Sequence, residues 1–86
     1  MDALQKAIDR IQRMEMYFDK LCEGVKAQPP TVYPQLAEAI DRYYTSGQWL
    51  SDYELDESGV LPQSLKRGVL SQDGIYDLLC RIKELD

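Results

Sequence analysis

The side chains with the most chemical potential are four carboxylates in the segment between Trp49 and Gly59. They are Asp52, Glu54, Asp56 and Glu57. Ca²⁺ binds several carboxylate oxygens in a flexible loop, so this segment has to be compared with a calcium loop. An EF-hand loop that starts at Asp52 needs a glycine at its sixth position and an acidic residue at its twelfth, but Glu57 and Gln63 occupy these positions. The spacing therefore predicts that no metal is bound.

The chain also contains no residue pattern typical of an enzyme. It has no histidine, so neither Cys22 nor Cys80 has an imidazole that would activate it as a nucleophile. Carboxylates that perform acid and base catalysis need a cleft that separates their pKa values, and the sequence indicates none. A phosphate-binding loop is also missing. We therefore predict a protein that is not an enzyme, with no catalytic residues and no cofactor.

Composition and charge indicate the class of protein and of partner. An apolar fraction of 44% and a charged fraction of 29% in 86 residues are typical of one globular domain. Ten basic and fifteen acidic side chains give a net charge of -5, which repels nucleic acids and anionic membranes and favours a basic partner. Two cysteines form no disulfide framework, and no apolar run reaches the roughly 18 residues of a membrane span. We expect a cytoplasmic protein that binds neither nucleic acid nor membrane directly; the oligomeric state stays open.

Apolar periodicity predicts two helices that form an antiparallel hairpin. Residues 2–28 carry apolar side chains at steps of three and four, which places them on one face of a long helix. These are Leu4, Ile8, Ile11, Met14, Phe18, Leu21 and Val25. The prolines at 29–30 end this helix, and a second helix is predicted from 31–34 to Gly47. Its apolar stripe consists of Leu36, Ala37, Ile40, Tyr43 and Tyr44.

The C-terminal half predicts an acidic loop and a third helix. Acidic and apolar residues alternate after Trp49, but a lone strand is marginal, so we predict an irregular acidic loop that packs under the hairpin. Ser71 is a predicted N-cap, and the third helix has an apolar face of Ile75, Leu78, Leu79 and Ile82. The predicted fold is all-α: an antiparallel helical hairpin with a third helix packed across it, in a single domain over residues 1–86.

Two sets of charged residues predict ion pairs within the chain. Asp9 and Arg13 lie one helical turn apart and can pair. Lys66 and Arg67 follow the acidic segment closely enough to bridge back to it and hold it against the helices. Exposed pairs of this kind contribute only about 0 to 1 kcal/mol.

Several blocks of the sequence resemble a family of short bacterial proteins known as domain of unknown function 4298. The blocks are RIQRMEMYFDKL, YYTSGQWLSDYE, DESGVLP and LKRGVLSQDGIYDLL. The most specific part runs from Trp49 through Gly74, where a tryptophan, an acidic run and LKRGVLS follow in that order. The resemblance implies a small helical bacterial protein, and it implies no particular activity, catalytic residue or cofactor.

By elimination, the sequence predicts a small acidic protein-interaction module that docks on a larger basic partner. An adaptor, an immunity-type protein and a regulator all fit this description. The predicted partner-binding residues are Tyr44, Trp49, Asp52, Tyr53, Glu54, Asp56 and Glu57. Aromatic rings would supply desolvated contact area and the carboxylates would steer the partner. In the other interpretation, this segment is a structural cap whose aromatic residues seal the helices.

An alternative function is a phage-type or mobile-element inhibitor, similar to anti-CRISPR or anti-restriction proteins. Its carboxylates would imitate nucleic acid phosphates and bind the target's lysines and arginines. The two functions differ in the layout of charge. A mimic needs acids along one continuous stripe, whereas an interaction module has an apolar patch rimmed by charge.

Overall fold

A computed structural model describes residues 2–85, which form four α-helices and one 3-10 turn, with no strand among them. The helices are α1 (Ala3–Lys26), α2 (Pro34–Thr45), α3 (Gln48–Glu57) and α4 (Gln72–Leu85), and the 3-10 turn spans Gly68–Leu70. The all-α class predicted from the sequence is confirmed. The predicted C-terminal helix corresponds to α4, and α3 is an additional helix.

Helix α1 begins and ends at local signals. The Asp2 side chain accepts a hydrogen bond from the Leu4 N–H at 3.0 Å, which caps the N-terminus. Near its C-terminus the chain folds back, and the Thr31 N–H donates to the Gly24 carbonyl oxygen at 2.9 Å. A Cβ atom on Gly24 would collide with the Thr31 carbonyl oxygen, so this close approach requires glycine.

The hydrophobic core lies between α1, α2, α4 and the 3-10 turn. Its fully buried members are Ile11, Leu21, Ile40, Tyr43, Val69 and Ile75. Helix α1 packs against α2, α4 and the turn, as its apolar stripe predicts. The stripe is not buried uniformly, because Ile8 and Phe18 are only partly buried beside the core.

The segment predicted to be an irregular acidic loop is the helix α3, so that prediction is wrong. Gly47, with a φ of +95°, separates α3 from α2. The inward side of α3 consists of Trp49, Asp52, Tyr53 and Asp56, which follow each other at steps of three, one and three. This is a helical stripe. It was not recognised in the sequence because two of its four members are aspartates.

Helix α4 begins as the sequence predicts. The Gly74 N–H donates to the Ser71 hydroxyl oxygen at 3.2 Å, which confirms Ser71 as a cap. Ile75, Leu78 and Ile82 are buried on one face of the helix. The position of α4 is therefore set by its apolar face and by the 3-10 turn that precedes it.

Candidate interaction surface on α3

Asp52 is the structural centre of the inward side of α3. Its buried carboxylate accepts hydrogen bonds from Arg10 Nε at 2.9 Å, Arg10 Nη2 at 2.5 Å and the Tyr43 hydroxyl at 2.7 Å. The hydrogen bond with Asp52 raises the pKa of Arg10, while burial, followed by the hydrogen bond with Asp52, raises the pKa of Tyr43. Asp52 joins α1, α2 and α3. Its predicted role in partner binding is corrected, since its side chain is not accessible.

Trp49 is also buried, with 5% of its surface exposed. Its indole N–H donates to the Val69 carbonyl oxygen at 2.9 Å. Its ring stacks on Tyr53 and forms an edge-to-face pair with Tyr44, with 5.1 Å and 5.2 Å between the respective centroids. The prediction that Trp49 binds a partner is corrected too, because Trp49 packs between α3 and the 3-10 turn instead of facing a partner. Tyr44 and Tyr53 are half-buried at the margin of the same cluster.

Asp56 is half-buried and is bound by Arg67, whose Nε lies 2.6 Å from a carboxylate oxygen. The Arg67 guanidinium also donates to the carbonyl oxygens of Pro62 at 2.7 Å and Leu65 at 2.8 Å. The predicted bridge from Arg67 to the acidic segment is thus confirmed. It fixes the chain between α3 and the 3-10 turn. Lys66 makes no ion pair with any residue in 2–85.

The outward side of α3 carries the residues that remain accessible. Leu50 is 52% exposed and Glu54 and Glu57 are exposed, while Tyr53 lies at the boundary with the inward side and is half-buried. These residues are related by steps of three and four, so they share one side of the helix. The hydrogen bond and charge of Glu57 raise the pKa of the Tyr53 hydroxyl. We refer to Leu50, Tyr53, Glu54 and Glu57 as the outer face of α3.

A second buried carboxylate, Glu15, was not recognised in the sequence. It is 7% exposed and accepts a hydrogen bond from the Val69 N–H at 2.8 Å, which ties α1 to the 3-10 turn. Burial raises the pKa of Glu15, and the neighbouring Asp19 adds to the effect. The sequence signal for its burial was its position four residues after Ile11, because that position continues the apolar stripe of α1.

The described residues contain no group of three or more metal-ligating side chains. Cys22 and Cys80 are free and half-buried, and burial raises the pKa of the Cys22 thiol. None of the helices in 2–85 combines the length and apolarity needed to cross a bilayer.

Comparison with known proteins agrees with the family resemblance of the sequence. The model of the family described as domain of unknown function DUF4298 matches residues 1–86. The chain therefore belongs to this family. No curated protein and no solved structure matches the chain significantly.

Proposed function

We propose that this member of the DUF4298 family is a non-enzymatic interaction module that binds a basic protein partner through the outer face of α3. The observation that carries the proposal is an exposed leucine beside a tyrosine, with the carboxylates of Glu54 and Glu57 on the same side of the helix. Leu50 and Tyr53 supply apolar contact area. The two carboxylates supply long-range attraction and fix the orientation of a basic partner.

The pairing of the other two carboxylates of α3 favours this function over nucleic acid mimicry. Asp52 is bound by Arg10 and Asp56 by Arg67, so their charges are compensated within the chain. Glu54 and Glu57 make no ion pair within residues 2–85. An apolar patch beside two carboxylates without an ion pair fits an interaction module, whereas a mimic requires a longer row of uncompensated acids.

The test compares an outer-face variant with a matched control. The variant combines Leu50→Ser, Glu54→Gln and Glu57→Gln, and the control combines Leu85→Ser, Asp77→Asn and Glu84→Gln on α4. Each removes one exposed leucine and two exposed carboxylates. All the substituted side chains are exposed, so we expect both proteins to fold like the wild type, which thermal melting monitored by circular dichroism would establish.

Affinity capture from the source organism, followed by binding measurements with the purified partner, gives the readout. We expect the wild type and the α4 control to retain the partner, the outer-face variant to lose it, and the complex to weaken as salt concentration rises. Equal capture by the outer-face variant would refute the assignment of the face. A partner that DNA displaces competitively would instead favour the mimic.

A further inference from the structure

A groove of about 360 Å³ with excess positive charge lies between the N-terminal half of α1 and the start of α3. It is lined by Lys6, Asp9, Arg10, Arg13, Met14 and Gln48. None of these residues belongs to the outer face of α3, so the groove is a separate site. Its charge is the opposite of the chain's overall charge of -5.

The cations of the groove are available to a ligand. Lys6 and Arg13 are exposed and make no ion pair in the described part of the chain. The predicted pair between Asp9 and Arg13 is wrong, since the Asp9 carboxylate accepts a hydrogen bond from the Gln5 side chain at 3.0 Å instead. Even with Asp9 and the buried Asp52 counted, positive charge is in excess.

Arg10 adds a fixed hydrogen-bond donor to the groove. Asp52 binds its Nε and Nη2, and Nη1 has no hydrogen-bond partner within residues 2–85. The buried carboxylate therefore holds the guanidinium in one orientation before any ligand arrives. A side chain that is already ordered loses little conformational entropy on binding.

We propose that this groove binds an acidic peptide segment of a partner protein through carboxylates spaced one helical turn apart. Lys6, Arg10 and Arg13 follow each other at steps of four and three, and so form a strip about 10 Å long on α1. Two or three carboxylates span this length. A nucleic acid would place further phosphates beyond the strip, where the net negative charge of the chain repels them.

The test titrates the protein with capped hexaglutamate and follows the backbone amide shifts by NMR at low salt. Hexaglutamine is the neutral control ligand, and hexathymidylate represents nucleic acid. The variant Lys6→Gln with Arg13→Gln leaves Arg10 and Asp52 intact, so we expect it to fold. Its matched control is Lys26→Gln with Lys83→Gln, which removes two exposed cations elsewhere on the surface.

We expect saturable shifts of the groove residues with hexaglutamate and none with hexaglutamine. The groove variant should bind about tenfold more weakly because two ionic contacts are lost, and the matched control should bind like the wild type. Absence of saturable shifts, or equal weakening in both variants, would overturn the proposal. Hexathymidylate binding as tightly as hexaglutamate would also overturn it, since the groove would then recognise phosphate chemistry.

Discussion

Replacing Asp52 with alanine should weaken the attachment of α3 to the rest of the protein and lower the free energy of unfolding. The substitution removes the acceptor of three hydrogen bonds, two from Arg10 and one from the Tyr43 hydroxyl. These bonds connect α3 to α1 and α2. The same substitution removes the charge that compensates the Arg10 guanidinium.

The structure allows the size of this effect to be worked out. The Tyr43 side chain is buried, and a buried hydroxyl left without a partner costs about 1 to 3 kcal/mol. Removing one partner of a buried ion pair costs about 3 to 5 kcal/mol when the remaining charge stays dry. The Arg10 side chain is 26% exposed, so water can rehydrate its guanidinium and we take the low end of the range. With the low end of both ranges, the expected total loss is about 4 kcal/mol, or about 16 to 32 °C in melting temperature for a domain of this size.

Urea denaturation of the wild type, Asp52→Ala and Glu54→Ala would measure this loss. Glu54 is the matched control, because it is an exposed carboxylate on the same helix, and its removal should change the free energy of unfolding by no more than about 0.5 kcal/mol. Tyr43→Phe and the double variant complete a cycle that isolates the coupling between Asp52 and Tyr43. A loss for Asp52→Ala no larger than that for Glu54→Ala would refute the structural role of Asp52.

Three further substitutions test the core, the second buried carboxylate and the turn after α1. Ile11→Ala should lower the free energy of unfolding by about 2 to 5 kcal/mol in urea denaturation because Ile11 is fully buried, and an unchanged midpoint would contradict this. The folded-state pKa of Glu15 is raised above its usual 4.5, so ionisation of Glu15 destabilises the fold once the pH exceeds 4.5. The stability of Glu15→Gln should therefore rise relative to that of the wild type as pH increases, and parallel curves of stability against pH for the two proteins would contradict this. Gly24→Ala should lower the free energy of unfolding by about 1 to 3 kcal/mol, because the added Cβ collides with the Thr31 carbonyl oxygen. Thermal melting measures this loss, and a variant more stable than the wild type would rule out the close approach.

The elements that depend on local signals were predictable from the sequence. The apolar stripe of α1 predicted a helix over 2–28, and the structure has it at Ala3–Lys26. Ser71 was predicted as a cap and accepts the Gly74 N–H. Stripes and caps involve residues within a few positions of each other, so the chain carries these instructions without reference to its tertiary structure.

The candidate surface was predictable only in part. The acidic segment was correctly identified as the place where aromatic residues and carboxylates coincide, and Glu54 and Glu57 are accessible there. Trp49 and Asp52 were expected at a partner surface, but both are buried. Whether the outer face of α3 binds a partner stays a prediction.

The sequence by itself determined the all-α class, the long first helix, the cap of α4 and the acidic character of the segment after Gly47. Tertiary structure alone decided that this segment is a helix and which of its carboxylates face inward. The physical reason is that a carboxylate can be buried only where opposite charge and hydrogen-bond donors meet it. For Asp52 that charge is Arg10, 42 residues away in the chain, and no local sequence pattern predicts a contact over such a sequence separation.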